Sequence, residues 1–360
     1  LFFYVNLPDD LLDRQSINRL ENFYEFIDRD PDVDGNDFLS DILSAYSVDG
    51  MLPLLPVNIR FDGISINKNL FEHNRSLENF ASQKTTNAED LVRLHDSLGR
   101  TDCGVYEGFN FYDSVVRSRA SFIDVIKGSC NFDTPAFRVL AEFSKRNEKR
   151  DDLKRTFTGS ANYNLIETDE KMSRDYMFVI SNDFYPPYLF DTEGVLNFTG
   201  MVPLTDLDGR LNVFMHMVFG ISAHSKNKDF AWELVKYYLL PEKELPQLTG
   251  MMSAYNPMLI SSAEESLEGY IMFMSDSNRY LDPKQIDVYL GRIIEYYKML
   301  DEIPFYYCHF QAAYDESHLN TIFNAIYMFL YESDFMQIKE TDELIERIEL
   351  EINETFEDDE

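Results

Sequence analysis

The stretch Asp28 to Asp41, DRDPDVDGNDFLSD, is where residue type and spacing point most directly to chemistry. Asp30, Asp32 and Asp34 fall on positions 1, 3 and 5 of a calcium-binding loop, and Gly35 falls on position 6, where the sharp turn calls for glycine. Three carboxylates at alternate positions could converge on one Ca2+, with Asp41 at position 12 closing the shell. The rest of the pattern is looser. Position 8, usually apolar, is Asp37, and Asp41 stands where glutamate is usual.

Catalysis has little to work with. The chain has no glycine-rich phosphate loop, no nucleophile elbow and no histidine pair at helical spacing. Its six histidines are scattered, and isolated ones such as His216 and His309 read as core or surface residues. Carboxylates are plentiful only because acid is plentiful: 64 Asp and Glu against 32 Lys and Arg give a net charge of -32. A glycosidase would need two of them facing each other across a cleft. The same excess repels a phosphate backbone and leaves no basic stripe to follow it, so nucleic acid is not expected as a partner. Cys103, Cys130 and Cys308 are odd in number and lack metal-ligand spacing. They read as structural thiols, with a Cys103–Cys130 disulfide as the alternative for an exported protein.

The framework that must position any site is α/β. At 360 residues the chain exceeds the roughly 250 to 300 residues at which single cores stop growing, which predicts two domains. No apolar run reaches the ~20 residues of a membrane span. The organising stretch is Asn212 to Leu240. Its nearly unbroken apolar run Val213 to Ile221 predicts a central strand covered on both faces. A polar turn with candidate caps Ser225 and Asn227 follows. Phe230, Leu234 and Tyr238, beside Ala231, Val235 and Leu239, then repeat every four residues, as in an amphipathic helix. LFFYV at the start and Tyr176 to Ile180 read as strands. Asp9 to Phe26, the segments opened by Pro135 and Pro283, and the C-terminal stretch read as helices.

The segment Gly220 to Leu239, GISAHSKNKDFAWELVKYYL, resembles one carried by the extracellular solute-binding proteins of family 1, the substrate receptors of ABC importers with the maltose-binding-protein fold. Asp49 to Pro56 resembles the hairpin that opens that family's first crossover, and Asn197 to Gly209 and Leu248 to Pro257 resemble the starts of the second and third. Ser65 to Phe71 meets the family signature in part: Asn67 and Phe71 are in place, Ser65 and Ile66 depart from it. The family often has an acidic turn near Asp28 to Asp41 that caps the next helix, the reading that competes with calcium.

The resemblance implies a periplasmic-binding-protein-like (type II) α/β fold of two lobes joined by crossover strands at a hinge. Lobe I is expected at 1–57 plus 210–256, with its first strand–helix units missing, and lobe II at 58–209 plus 257–360. Trp232, the single tryptophan, is expected to pack the first lobe. Implied ligand contacts are Arg60 and Phe61 at the hinge; Tyr106 and Phe109 in an aromatic loop; Asp183, Phe184, Tyr185 and Tyr188 after a strand; Met252 and Tyr255 at the third crossover; and Tyr314 and Asp315 before a late helix. Such rings suit a sugar because its C–H faces are apolar and pack on aromatic planes, while amides and carboxylates bond its hydroxyls. The implied protein is a monomeric receptor for a carbohydrate or similar polar solute. It is expected to be exported, anchored as a lipoprotein and to dock on ABC permease subunits in the membrane. A sensor-linked or surface binding protein for a non-sugar solute is the alternative.

Overall fold

The computed structural model describes residues 2–5, 19–39, 41–47, 50–67, 79–80, 83–98, 105, 114–115, 117–118, 121–124, 129–147, 177–181, 198–240, 252–258, 260–264, 267–268, 271, 283–307, 322, 324–329 and 338–358. In chain order the elements are β1 (Phe2–Val5), α1 (Phe23–Ile27), α2 (Ile42–Ala45), β2 (Leu55–Phe61), β3 (Gly63–Asn67) and α3 (Ala88–Leu98). They continue with β4 (Ile123–Asp124), β5 (Ser129–Cys130), α4 (Pro135–Asn147), β6 (Phe178–Ser181), β7 (Phe198–Pro203), β8 (Leu211–Gly220) and α5 (Lys228–Leu239). The last are β9 (Met252–Ser253), α6 (Pro283–Leu300), β10 (Phe305–Tyr307) and α7 (Thr341–Asp358).

Contacts divide the chain into two units: Leu1–Gly63, Ser181–Glu193 and Leu211–Ala313 form the first, and Ile64–Ile180, Gly194–Arg210 and Tyr314–Glu360 the second. The sequence reading had the chain leave the first lobe after residue 57 and, for the last time, after 256. By contacts these changes fall at Gly63/Ile64 and Ala313/Tyr314. The reason for the later one is a strand pairing: β10 lies parallel to β8, with Phe305 opposite Leu211, and so carries 283–307 back onto the first sheet.

That sheet has the order β1-β8-β2-β9, with β10 also on β8. The apolar run of β8 works as predicted: β1 and β2 pair with it antiparallel, and Leu211, Val213, Met217, Val218 and Phe219 are buried. After β8, Ser222 and Ser225 hydroxyls accept from His224 N and Asn227 N, and the polar turn leads into α5. α5 buries Ala231, Trp232, Val235, Lys236 and Leu239. Phe230 and Leu234, expected on the inner stripe, are exposed at 74% and 39%. The apolar residues of α5 span more than one face, and the tertiary fold chose the stripe holding Trp232. Against it lies α1, whose first turn is capped by Asn22: its Oδ1 accepts from Tyr24 N (3.2 Å) and from Leu52 N (2.9 Å).

The second unit holds the three-stranded sheet β6-β3-β7 and the β4–β5 hairpin. Phe122, Phe132 and Phe137 lie with ring centroids 5.1 to 5.5 Å apart in its core. Thr134 Oγ1 accepts from Phe137 N (3.2 Å) and so caps the helix that Pro135 opens. α7 docks through Leu344, Ile345, Ile348 and Ile352, and Glu349 Oε1 accepts from Phe132 N at 2.7 Å. No helix among the described residues is long and apolar enough to cross a membrane.

Candidate ligand-binding site

Among the described residues the backbone passes between the units at Gly63/Ile64, at Ile180/Ser181 within β6 and at Arg210/Leu211; the first and last of these adjoin a strand junction and a tight turn. The first runs from β2 into β3. Register shifts on either side of Asn58 break the pairing of β2 with β8, and Asn58 and Asp62 are both buried, at 3% and 2% exposure. The last is the turn from β7 to β8. The Asp206 carboxylate, without exposed surface, accepts from Asp208 N (2.9 Å), Arg210 N (2.9 Å) and Arg210 Nε (2.8 Å). Burial raises its pKa from the ordinary value, and the Arg210 backbone N–H and guanidinium pull it back. Gly209 closes the turn at φ +78°, with nothing near its would-be Cβ. Gly209→Ala therefore meets strain without a clash. Thermal unfolding should show a loss of about 1 kcal/mol, and Gly209→Asn should lose less.

Of the candidate contacts, Tyr106, Phe109, Asp183, Phe184, Tyr185, Tyr188, Tyr314 and Asp315 lie outside the described residues. Arg60 sits in β2 opposite Phe214 of β8. The other three are buried within the first unit. Phe61 is 1% exposed and its ring centroid is 6.1 Å from that of Tyr296. Met252 is 1% exposed, in β9 opposite Ile59. Tyr255 is 2% exposed, 4.8 Å from Phe38 by centroids, and donates its hydroxyl to Asp37 at 3.4 Å. Burial and the nearby Asp37 push that phenol up to about 12. Strand pairing with β2 at one end of this segment and the Phe38 bridge at the other draw it into the core.

Of the aspartates proposed for calcium, Asp30 and Asp34 have other partners. Asp30, its side chain 7% exposed, accepts from Trp232 Nε1 (2.6 Å) and Asp32 N (2.9 Å) and pairs with Lys236 Nζ (3.0 Å). Asp34 caps the short 3-10 turn Gly35–Asp37 by accepting from Asn36 N at 2.9 Å. Asp41 starts α2 in the left-handed region at φ 60°. Among the described residues no three His, Cys, Asp or Glu gather as a metal would need.

The node that takes Asp30 is the polar centre of the first unit. Lys236 Nζ, buried beneath α5, lies 3.0 Å from Asp30, 2.9 Å from Glu233 and 3.5 Å from Asp32. Burial alone would lower the ammonium's pKa, but Glu233 and Asp30 outweigh it and raise it well above the ordinary lysine value. For Asp30, burial pushes up, and the Asp32 N–H, the indole N–H and Lys236 together hold it below 3.8. Sequence reasoning missed this pair. The signal was there: Lys236 follows Trp232 by four residues and must share its buried face.

No protein-family model and no curated protein matches the chain. Solved structures do. A protein from Synechococcus sp. MITs9220, described as a candidate oligosaccharide periplasmic-binding protein, superposes with a TM-score of 0.59 at 15% identity, covering 98% of this chain and 83% of that one. The sugar-binding protein MalE of Xanthomonas citri gives 0.54 at 12%, covering 98% and 82%. An extracellular solute-binding protein of family 1 from Alicyclobacillus acidocaldarius gives 0.54 at 12%, covering 97% and 83%. The chain has the solute-binding-protein fold. This is the type II periplasmic-binding-protein architecture, an α/β fold, and its neighbours are binding proteins. Within it, β2, β3, β7 and β8 of this chain carry the backbone across between units.

Proposed function

We propose that this chain is the solute-binding receptor of an ABC importer and that its ligand is a carbohydrate, most readily an oligosaccharide. What carries the reading is the fold over nearly the whole chain, shared at TM-scores of 0.52 to 0.59 with proteins described as binding oligosaccharides, maltose-type sugars and chitin oligosaccharides. On this reading the protein binds and releases without chemistry, works outside the cytoplasm as a lipoprotein, and hands its solute to permease subunits in the membrane. Two lobes, expected at 1–57 plus 210–256 and 58–209 plus 257–360, would close on the ligand. Arg60, Tyr106, Phe109, Asp183, Phe184, Tyr185, Tyr188, Tyr314 and Asp315 would line the site. Aromatic rings would stack on the sugar, and Arg60 and the two aspartates would bond its hydroxyls.

The test is thermal unfolding with maltose-type and chitin oligosaccharides. A ligand at a hundred times its Kd adds about 2.7 kcal/mol, a rise of several degrees. Tyr185→Ala and Tyr188→Ala should each remove most of that rise while leaving the unliganded midpoint in place. Sugars that leave the midpoint unmoved across both series would overturn the carbohydrate reading.

A further inference from the structure

Where the chain passes from β7 to β8 it leaves the second unit for the first, and the backbone amides of Thr205, Asp206, Asp208, Gly209, Arg210 and Leu211 are all hydrogen-bonded. Up to Arg210 these bonds lie within the second unit. Thr205 donates through its N–H (2.8 Å) and its hydroxyl (3.1 Å) to Thr86 O, and Thr86 N donates to Pro203 O (2.9 Å), which ties the end of β7 to the residues ahead of α3. The Asp206 carboxylate takes Asp208 N, Arg210 N and the Arg210 guanidinium, while Asp206 N donates to Arg210 O (2.9 Å) and Gly209 N to Asp206 O (3.2 Å). From Leu211 onward the anchors belong to the first unit. Leu211 N donates to Pro304 O (2.7 Å), β10 pairs Phe305 with Leu211, and the Leu211 side chain is fully buried.

The two sets of bonds meet at one peptide group. The carbonyl of Arg210–Leu211 is held by Asp206 N, and its N–H is held by Pro304 O. A hinge takes up motion in a few residues at the ends of rigid elements. Residues 206–210 are closed into a braced loop by a carboxylate without exposed surface, so they do not share the change. We infer that this crossing bends at the Arg210–Leu211 peptide, and that Asp206 is the positioning residue that confines the motion there. The inference rests on the receptor reading for the purpose of the motion, which is closure on a solute. A confined hinge leaves fewer open conformations to give up on binding, which favours affinity without any contact to the ligand.

Residue-resolved amide hydrogen exchange on the wild-type chain, alone and with maltotriose or chitotriose, tests this. In the sugar-free protein the Leu211 amide should exchange roughly tenfold or more faster than those of Asp208 and Arg210, because bending breaks its bond to Pro304 and leaves the loop closed. Sugar should slow Leu211 and leave the other two within about twofold. Asp206→Ala should bring the Asp208 and Arg210 amides up to the Leu211 rate, and lower sugar affinity in calorimetry by about tenfold, since loosened residues must be ordered again at each closure. Asp208 and Arg210 amides that exchange as fast as Leu211 in the wild type overturn the inference. So does a folded Asp206→Ala chain that binds sugar as tightly as wild type. Should that variant not fold, the wild-type comparison decides by itself. A wild-type chain that binds neither sugar counts against the receptor reading, while its sugar-free exchange pattern still tests the hinge, so the two fail separately.

Discussion

Lys236→Met is expected to cost the first unit about 3 kcal/mol, at the lower end of what removing one partner of a buried ion pair costs. The loss is of this size because Asp30 stays behind, 7% exposed, with only the Trp232 and Asp32 N–H groups for company. Pairing it with Asp30→Asn should recover much of the loss, since the double variant leaves no buried charge; the non-additivity measures the coupling. The pH dependence has a definite sign. Asp30 is held below its ordinary 3.8, so its contribution is complete above that value and is lost as pH falls through the lowered one. Lys236 is held above its ordinary 10.5, so its contribution is complete below that value and is lost as pH rises through the raised one. Wild type and Lys236→Met should therefore differ by a constant amount between those limits and converge in acid. Denaturant unfolding from pH 2 to 8 would read this. A gap that stays constant down to pH 2 would refute the role given to the pair.

Trp232→Ala should be costlier, about 4 kcal/mol or more, the range for deleting a large buried aromatic. The indole is 3% exposed, with ring centroids 6.1 Å from Phe23 and 5.6 Å from Phe26. Its removal opens a cavity between α1 and α5 and also takes a hydrogen-bond donor from Asp30. Trp232→Phe separates the two effects. It keeps much of the packing and loses the N–H, so it should cost about 1 to 3 kcal/mol, the penalty for an unsatisfied buried partner. Because the chain has one tryptophan, both variants need circular dichroism as the probe, and wild-type tryptophan fluorescence reports the first unit alone. If Trp232→Phe is as damaging as Trp232→Ala, the indole bond rather than the packing holds the node.

Both predictions fall on residues whose importance was only half legible beforehand. The sequence marked Trp232 as core because it sits in a motif resembling one that packs the first lobe. It did not mark Asp30 as its partner, because the two are joined by the fold across 202 residues. Read locally, Asp30, Asp32 and Asp34 looked like a calcium loop, since alternate spacing is all a linear pattern can show. Whether carboxylates converge depends on what else reaches them, and here the partners were Lys236, an indole and the loop's own backbone.

Taken by itself, the sequence determined the elements whose cause is local. The apolar run of β8 fixed a central strand, and Pro135 behind its threonine cap fixed the start of α4. Pro283 marked the start of α6, and the motif at Gly220 to Leu239 pointed to the architecture that the solved structures share. Only the tertiary structure decided which of two apolar stripes on α5 turned inward, and that Phe61, Met252 and Tyr255 went to the core. It also decided that residues 283–307 returned to the first sheet through the parallel pairing of β10 with β8. The physical reason is common to all three. Periodicity and turn chemistry are properties of neighbours along the chain, whereas the choice among equally apolar faces is made by long-range packing, which no local pattern encodes.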